Sequence, residues 1–281
     1  MISILTCGYK PENKFNLENS IKNTIEAEYE FIYHDNRSNP IGICQAYNLL
    51  AKQAKGDYLC FVHEDISFLE IGWGKNIIYN LESYDIFGVA GGKYKSSTPS
   101  GWSISGYNCL KFTQAYSRKD SQMFLEQSSP NDVLEEVVVI DGVFLAMKKE
   151  VFESIQFDEA TFKGFHGYDY DFCLNARHKF KLGVAKNIPI IHFSEGRNDK
   201  LWLDTQLQIS NKWKDKLPAF TEDLKNIDHK KVEFLAYKQC IYKMVVFKFI
   251  NLGILIKHFR INLLFYTWLY IFNRKRFNQI L

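Results

Sequence analysis

The chain lacks the cysteine patterns by which exported proteins and zinc proteins are often recognised. Its 281 residues include six cysteines, and no two of them form a C-x-x-C pair. They are Cys7, Cys44, Cys60, Cys109, Cys173 and Cys240. Scattered cysteines inside apolar runs behave as small buried hydrophobes, so we expect reduced thiols and a cytoplasmic location.

Long apolar runs are also missing. The first residues, MISILTCGYK, contain neither the basic region nor the apolar stretch of a signal peptide. The longest apolar candidate, INLLFYTWLYIFN at 261–273, falls short of the roughly 18 residues that a membrane-spanning helix needs. The sequence therefore predicts neither export nor a transmembrane helix.

The formal net charge of +3 conceals a strong asymmetry. Residues 230–281 carry a charge of +9, with Glu233 as their only acid, and residues 1–229 carry −6. This segment is also rich in Ile, Leu and Phe and contains the cluster Arg274-Lys275-Arg276, a composition that favours binding to an anionic membrane surface. We therefore expect a peripheral protein on the inner face of the cell membrane.

Two other roles for the basic segment were weighed. It could be a helical appendage that packs against the preceding domain, or a contact between copies in a homo-oligomer. A nucleic-acid partner is not expected, because the basic residues are diluted among apolar ones rather than set on a polar face.

The first hundred residues alternate between strand and helix patterns. In chain order the segments are ISILTC, LENSIKNTI, YEFIYHD, GICQAYNLLAKQA and DYLCFVHED. Strands joined by helices of this length form a parallel sheet, whose ligands bind beyond the carboxyl ends of the strands. Polar clusters lie at those ends: Thr6-Cys7-Gly8, His34-Asp35-Asn36 and His63-Glu64-Asp65.

The rest of the chain is less regular. Residues 88–130 are rich in Gly, Ser, Tyr and Lys without a clear period, which predicts a long functional or mobile loop. The segment YDYDFCLNARHKFKLG predicts a helix that ends before Gly183, and IPIIHF predicts a late strand with His192 at its end.

Six segments, in this order, resemble the family-2 glycosyltransferases that have the GT-A fold. They are ISILTC, YHDNRSN, AYNLLAKQAKGDYLCFVHEDI, IDGVFLAMKKEVFE, FDEATFKGFHGYDYDFCLNAR and IIHF. The resemblance covers residues 1–215 and implies an α/β domain, Rossmann-like, with a mostly parallel central sheet flanked by helices. Residues 216–281 would then be a basic, hydrophobic, helical appendage.

The resemblance also implies a binding site for a nucleotide-sugar donor. Thr6 and Cys7 match the turn that contacts the nucleotide, and Asp35 matches the acid that hydrogen-bonds its uracil or ribose. Asn48 matches a position that recurs in the family and is assigned with them to the donor site.

The segment His63-Glu64-Asp65 lies where the family has its D-x-D motif. The resemblance assigns Asp65 to a divalent cation, Mn²⁺ or Mg²⁺, that bridges the diphosphate of the donor, and it assigns Glu64 to the ribose or sugar. His192 resembles the late histidine that completes the metal site. His63 replaces the first acid of the motif and is assigned to the donor site.

The segment GYDYDF matches the region that holds the catalytic base of the family. Asp169 falls on that base, and Tyr168 stands where a glutamate is expected. Asp171 suits the N-terminal turn of a helix, where the helix dipole favours an acid.

The expected function is therefore an inverting transfer of a sugar from a nucleotide sugar, with UDP as the nucleotide, to a membrane-associated glycan or a lipid-linked acceptor. The Q-x-x-R-W signature of processive synthases is absent, so a non-processive enzyme is expected. Two alternatives remain: a catalytically inactive scaffold that kept the fold, which His63 and Tyr168 favour, and a glycoside hydrolase. The hydrolase is weaker, because paired carboxylates need no nucleotide-binding sheet.

Overall fold

The structure is a computed structural model that describes residues 1–37, 40–116, 121–127, 133–194 and 199–247. Its helices are α1 (Pro11–Thr24), α2 (Ile43–Gln53), α3 (Trp73–Ser83), α4 (Lys149–Ser154), α5 (Tyr168–Ala176), α6 (Lys200–Lys212) and α7 (His229–Val246), with a short 3₁₀ helix at Glu222–Leu224.

The strands belong to two larger sheets and one small one. They are β1 (Ile2–Gly8), β2 (Tyr29–Asp35), β3 (Tyr58–Val62), β4 (Ile66–Phe68), β5 (Ile86–Gly88), β6 (Ala90–Gly92), β7 (Tyr94–Lys95), β8 (Asn108–Tyr116), β9 (Ser121–Gln127), β10 (Leu134–Glu136), β11 (Val139–Ile140), β12 (Phe144–Lys148), β13 (Leu182–Ala185), β14 (Ile190–Phe193) and β15 (Ala219–Phe220).

The central sheet has the strand order β10-β13-β5-β12-β3-β1-β2. Its β3-β1-β2 half is parallel, as the strand and helix patterns of the first sixty residues predict. Strand β12 runs antiparallel to both of its neighbours, and β10 is antiparallel to β13. The α/β fold class is confirmed, and the sheet is mixed, because β12 enters it from a loop rather than from a crossover helix.

Helices cover both faces of this sheet because its central strands are apolar on both sides. Leu59 and Phe61 of β3 pack with α2 and α5, whereas Cys60 and Val62 pack with α1 and α3. On α1, Leu17 and Ile21 are four residues apart, lie on one face and are fully buried. Burial of this kind stabilises the fold by about 25 cal/mol for each Å² of apolar surface removed from water.

The prediction of a long loop at 88–130 is wrong for most of that segment. Strands β6 and β8 belong to a second sheet with the order β11-β6-β8-β14-β4, in which β9 pairs with β8. Strand β6 has only three residues, two of them glycines, and in β8 and β9 adjacent apolar residues interrupt the alternation of apolar and polar residues, so the strand pattern is weak. Helix α5 also ends earlier than expected, at Ala176, and Gly183 lies within β13.

The chain passes between the two large sheets at two neighbouring points. Residues 63–65 connect β3 of the central sheet to β4 of the second sheet, and residues 141–143 connect β11 to β12 in the opposite direction. The backbone N–H of His63 donates to the carbonyl of Val143, with N···O 3.1 Å, so the two crossings lie side by side. Backbone leaves regular pairing here, which places side chains from both sheets at one spot.

Helix α7, the first part of the basic segment, packs against the rest of the protein. One face of it contacts Trp202 and Leu203 of α6 through Cys240 and Met244, and nearer its start Val232 and Ala236 pack on Tyr94. Over residues 229–246 this is the arrangement of a packed appendage. Membrane contact by the remainder, including Arg274-Lys275-Arg276, falls outside the described residues and stays a prediction.

A search for spanning helices gave a negative result. No helix in the described ranges is both long enough and apolar enough to cross a membrane.

Candidate functional site

Three side chains at the crossing between the sheets could hold a metal ion. His63 follows β3, Asp65 precedes β4, and His192 comes from β14, which pairs with β4. One ligand atom from each lies within 4.8 Å of the other two. The Oδ1 of Asp65 is 3.4 Å from Nε2 of His192 and 3.9 Å from Nδ1 of His63.

Tyr168 determines which nitrogen of His63 faces the metal position. Its hydroxyl donates to the carbonyl of Gly142 at 3.0 Å, and the same oxygen lies 3.1 Å from Nε2 of His63. An oxygen that already donates its proton can only accept a second hydrogen bond, so neutral His63 carries its proton on Nε2. The lone pair of Nδ1 then points toward Asp65. Histidine ligands of metals are oriented in this way by a partner on the other ring nitrogen.

The Nε2 of His192 is the observation that best fits a metal. It is buried, and no group in the described part of the chain forms a hydrogen bond with it. A buried polar atom without a partner costs free energy, which coordination to a cation would offset. The strand that carries it is fixed in place, since the side chain of Gln114 donates to the carbonyls of His192 and Ser194 at 3.0 and 2.6 Å.

The electrostatics of this cluster suit the ligand forms. Burial lowers the pKa of His63, and the neighbouring His192 lowers it further, which keeps the imidazole neutral. Burial acts to raise the pKa of Asp65, but the neighbouring imidazoles of His192 and His63 lower it overall. A neutral imidazole and an ionised carboxylate are the forms that bind a cation.

In the sequence Glu64 lies between His63 and Asp65, but its side chain points toward the turn after β1 rather than toward the metal cluster. Its carboxylate accepts from the backbone N–H groups of Tyr9 and Lys10, at 3.1 and 3.2 Å, and from the hydroxyl of Tyr33 at 2.9 Å. A Cβ on Gly8 would come within 2.0 Å of this carboxylate, so only glycine fits there. Glu64 therefore holds the turn between β1 and α1 in place.

A cavity of about 180 Å³ lies between that turn and the metal cluster. Cys7, Asn36, Glu64 and Asp65 line it, together with Tyr168. This is the carboxyl end of the parallel strands β1, β2 and β3, where ligands of such sheets bind. Burial, reinforced by the charge of Glu64, raises the pKa of Cys7 to about 12, so the thiol stays neutral.

Three of the residues predicted to bind the donor do not line this cavity. Thr6 is fully buried in β1, and its hydroxyl has no hydrogen-bond partner in the described ranges. Asp35 is partly exposed beside the cavity and is held by Arg37, whose hydrogen bonds lower the pKa of Asp35 to about 2.

Asn48 is the third. Its amide bonds both ways with the backbone of Phe157, at 3.0 and 3.1 Å, and donates to Glu159 at 2.9 Å. The structure thus places Asn48 where it anchors the loop before α5, away from this cavity and from the larger one described below.

Asp169 opens α5 and faces a larger cavity on the other side of His63. One of its oxygens accepts from the backbone N–H of Gly142 and the other from that of Tyr170, both at 2.9 Å. Gly167 adopts a φ of +78° just before the helix, a conformation that glycine reaches without strain. Burial, reinforced by the charge of Asp141, raises the pKa of Asp169 to about 7.

Asp171 plays a different part, although it is only two residues away. Its carboxylate is paired with Lys212 at 2.7 Å and accepts from the indole N–H of Trp213 at 2.8 Å. Both partners lie at the end of α6, so this ion pair joins α5 to α6. Asp169 is therefore the acid of the pair that faces the cavity.

The larger cavity has a volume of about 450 Å³. Asp141 and Asp169 line it together with His63 and His192, and Trp202 of α6 and Lys243 of α7 line it as well. Trp102 also faces it, and its indole N–H donates to Asp141. His63 and Tyr168 line both cavities, so the metal cluster lies at the boundary between them.

One feature of the site escaped prediction from the sequence. The bond between His63 and Tyr168 joins residues 105 positions apart, so no local pattern announces it. The signal was available in another form, because both residues depart from the expected family motifs. The segment IDGVF, by contrast, predicts that Asp141 and Gly142 line the acceptor side, because glycine admits close backbone approach, and both residues line the larger cavity.

Comparison with protein-family models gives one match. Residues 12–217 match the model described as a glycosyltransferase-like family. A comparison with curated proteins gives no match.

Comparison with solved structures gives likenesses at low sequence identity. A crystal structure of GalNAc-T7 with UDP, GalNAc and Mn²⁺ matches with a TM-score of 0.56 at 10% identity, over 77% of this chain and 48% of that one. S. aureus TarS 1-349 in complex with UDP-GlcNAc matches with a TM-score of 0.51 at 11% identity, over 95% of this chain and 78% of that one. The chain thus spans about half of the first structure and more than three quarters of the second. At these identities the likeness establishes the fold, which is that of GT-A glycosyltransferases.

Proposed function

The chain belongs to the glycosyltransferase-like family, and from that premise we propose that it transfers a sugar from a nucleotide sugar, with inversion at the anomeric carbon. The observation that carries the proposal is the boundary between the two cavities. There a set of metal ligands, a cavity at the strand ends and a carboxylate with a pKa of about 7 come together.

The smaller cavity is the proposed donor site. We expect the nucleotide at the turn that Glu64 holds, with the side chains of Cys7 and Asn36 around it and Asp35 at the edge. The diphosphate would lie toward His63 and Asp65. UDP is the proposed nucleotide, since the structures of GalNAc-T7 and TarS that resemble this one were solved with UDP or UDP-GlcNAc.

His63, Asp65 and His192 would hold a divalent cation, which when bound would offset the negative charge that develops on the departing diphosphate. Two imidazoles and one carboxylate form a set that suits Mn²⁺ better than Mg²⁺, because Mg²⁺ prefers oxygen ligands and keeps its water. The neighbour structure with Mn²⁺ is consistent with that choice. On this proposal, the histidine that replaces the first acid of the motif serves as a metal ligand in its place.

Asp169 is the proposed catalytic base. A hydroxyl of the acceptor attacks the anomeric carbon, the bond from that carbon to the diphosphate oxygen breaks, and the hydroxyl proton passes to Asp169. A base is most effective when its pKa lies near the working pH, which a value of about 7 satisfies. With one displacement and no covalent intermediate, the configuration at the anomeric carbon inverts.

The acceptor proposed is a glycan or a lipid-linked glycan at the inner face of the cell membrane, reached through the basic segment beyond α7. Deletion of 230–281 would expose the core, because Ala236 and Cys240 are buried. The appropriate truncation removes 248–281. We expect it to release the protein from anionic vesicles while leaving the fold intact, and replacement of Arg274, Lys275 and Arg276 by Gln should weaken binding in the same direction. Unchanged partitioning of both variants would refute the membrane role.

A panel of nucleotide sugars tests the transferase proposal. The protein with Mn²⁺ should be protected from thermal unfolding by UDP and by at least one UDP-sugar, and with that sugar it should release UDP slowly by hydrolysis. The variant Asp169→Asn should retain the protection. If none of the nucleotide sugars protects the protein from thermal unfolding, the proposal is overturned. Protection without turnover on any acceptor would favour the inactive scaffold.

A further inference from the structure

The part of the larger cavity that α6 and α7 line carries no carboxylate among the described residues, unlike the part that holds Asp169. Lys243 of α7 lines it and places its Nζ 3.6 Å from the centroid of the Trp202 ring. In the described ranges Lys243 has no salt bridge and no hydrogen bond to a carboxylate. Burial lowers the pKa of Lys243 to about 8. An ammonium removed from water without an anionic partner is costly, so a ligand that supplies the anion would be stabilised there.

A second lysine lies behind the same wall. Lys95 is fully buried, and its Nζ donates to the carbonyl of Ser100, which lines the cavity. That Nζ is also 5.2 Å from the ring centroid of Tyr170, the neighbour of Asp169. Burial lowers the pKa of Lys95 to about 7, although the charge of Asp169 opposes the shift, so Lys95 belongs to the Asp169 side and Lys243 is the cation that α7 presents to the cavity.

Aromatic rings also line the larger cavity. The indole N–H of Trp102 donates to Asp141, and the loop at Gly101 approaches Trp202, since a Cβ there would lie 3.4 Å from the Trp202 ring. Flat apolar rings with polar groups at their edges suit the faces of sugar rings, which stack on them while their hydroxyls bond at the rim. A sugar whose hydroxyl reaches Asp169 would extend along this wall toward Lys243.

We propose that the end of the larger cavity formed by α6 and α7 binds a phosphate or carboxylate group of the acceptor, with Lys243 as its ionic partner and Trp202 as the surface on which the adjoining sugar packs. This inference rests on the proposed transferase function, because it takes the cavity at Asp169 as the acceptor site. It makes the acceptor an anionic glycan and makes α7 part of the catalytic domain.

Binding of simple sugars to the full chain tests this inference without any donor. The probes are glucose 6-phosphate, glucuronic acid and neutral glucose, titrated calorimetrically at low salt. A charged hydrogen bond in a partly buried site favours the anionic sugar by about tenfold or more over glucose. Whichever of glucose 6-phosphate and glucuronic acid binds more tightly shows whether the site prefers a phosphate or a carboxylate.

Two substitutions of Lys243 and one control substitution on the same helix provide the matched comparison. Lys243→Gln should reduce the preference for the anionic sugars to near unity, and Lys243→Arg should keep most of it. Lys231→Gln removes the same charge from an exposed position of the same helix and should leave the preference unchanged. Thermal unfolding of each variant checks its fold, and the wild-type and Lys243→Arg measurements stand even if Lys243→Gln does not fold.

Equal binding of charged and neutral sugars by the wild-type chain would overturn the inference, as would a preference that survives in Lys243→Gln. No detectable binding of either charged sugar at millimolar concentration would also count against it. Binding of UDP with Mn²⁺, measured on the same samples, separates the two proposals. Its loss would contradict the transferase function alone, whereas its retention without any anion preference would contradict the anionic acceptor alone.

Discussion

The two cavities differ in the sequence separation of the residues that line them. The smaller one is built from the ends of β1, β2 and β3, and apart from Phe165 and Tyr168 its lining comes from the first 65 residues. The larger one combines residues from 63 to 243 and two different sheets. Local patterns organise the first, and long-range packing organises the second. The proposed donor site is accordingly the part with a regular scaffold, and the proposed acceptor site is the part that depends on contacts between distant segments.

The largest effect should come from a substitution in the larger cavity alone. Asp169→Asn keeps the shape of the side chain but cannot take a proton, so transfer should fall by about 10³-fold, roughly 4 kcal/mol in activation free energy. Binding of UDP with Mn²⁺, measured by calorimetry, should be unchanged. Retained turnover would remove Asp169 from the role of base, and lost UDP binding would show that the two cavities are not separable.

Removal of one proposed metal ligand should affect the proposed donor site first. His192→Ala removes one of three proposed ligands, so affinity for Mn²⁺ should fall by about 100-fold, followed by the Mn²⁺-dependent part of UDP binding. His178→Ala removes an exposed histidine and serves as the control. Titration of free Mn²⁺ by electron paramagnetic resonance measures both variants. Equal affinity in the two would place the metal elsewhere.

A smaller effect is expected from the residue shared by both cavities. Tyr168→Phe removes the hydroxyl that fixes the proton of His63 on Nε2, so Mn²⁺ affinity should fall by about tenfold, as for other partners of metal ligands. Tyr79→Phe, on an exposed tyrosine, is the control. Nitrogen chemical shifts of His63 give a direct readout, because the variant should populate both tautomers. An unchanged tautomer would contradict the role of Tyr168.

The smallest expected effect is that of pH. Because the pKa of Asp169 is raised to about 7, the rate with saturating substrates should rise about threefold between pH 6.5 and 7.5 and then level off. Stability should change in the opposite direction. The folded protein binds this proton more tightly than the unfolded chain, so the free energy of unfolding falls as pH rises from about 4 through 7. Asp169→Asn should remove both trends, and a flat profile of the wild-type rate would contradict the assignment.

The same contrast explains what could be predicted from the sequence. Helices α1 and α2 and strands β1 to β3 were predictable because Leu17 and Ile21 repeat at helical spacing and Leu59 to Val62 form a short apolar run between turns. The metal cluster was predictable in part, because Asp65 and His192 each lie at a strand end. Strands β6 to β9 were missed, since β6 and β7 have only three and two residues and adjacent apolar residues in β8 and β9 interrupt the strand pattern.

Two parts of the site could not be predicted for physical reasons. The direction of Glu64 is set by the three donors that surround it, which come from β2 and from the turn after β1. The position of Lys243 depends on the packing of α7 on α6, a contact that composition alone could not distinguish from membrane binding. Composition described the charge of this helix correctly but could not identify the surface that it covers.

The central claim, that one metal cluster joins the two cavities, is tested most directly by a crystal structure of the full chain with Mn²⁺ and UDP, with the metal located by its anomalous scattering. We expect a single Mn²⁺ bonded to Nδ1 of His63, the carboxylate of Asp65 and Nε2 of His192, with UDP in the smaller cavity beside Cys7 and Asn36. UDP bound there with no metal at these three residues, or Mn²⁺ bound at other residues, would contradict the claim.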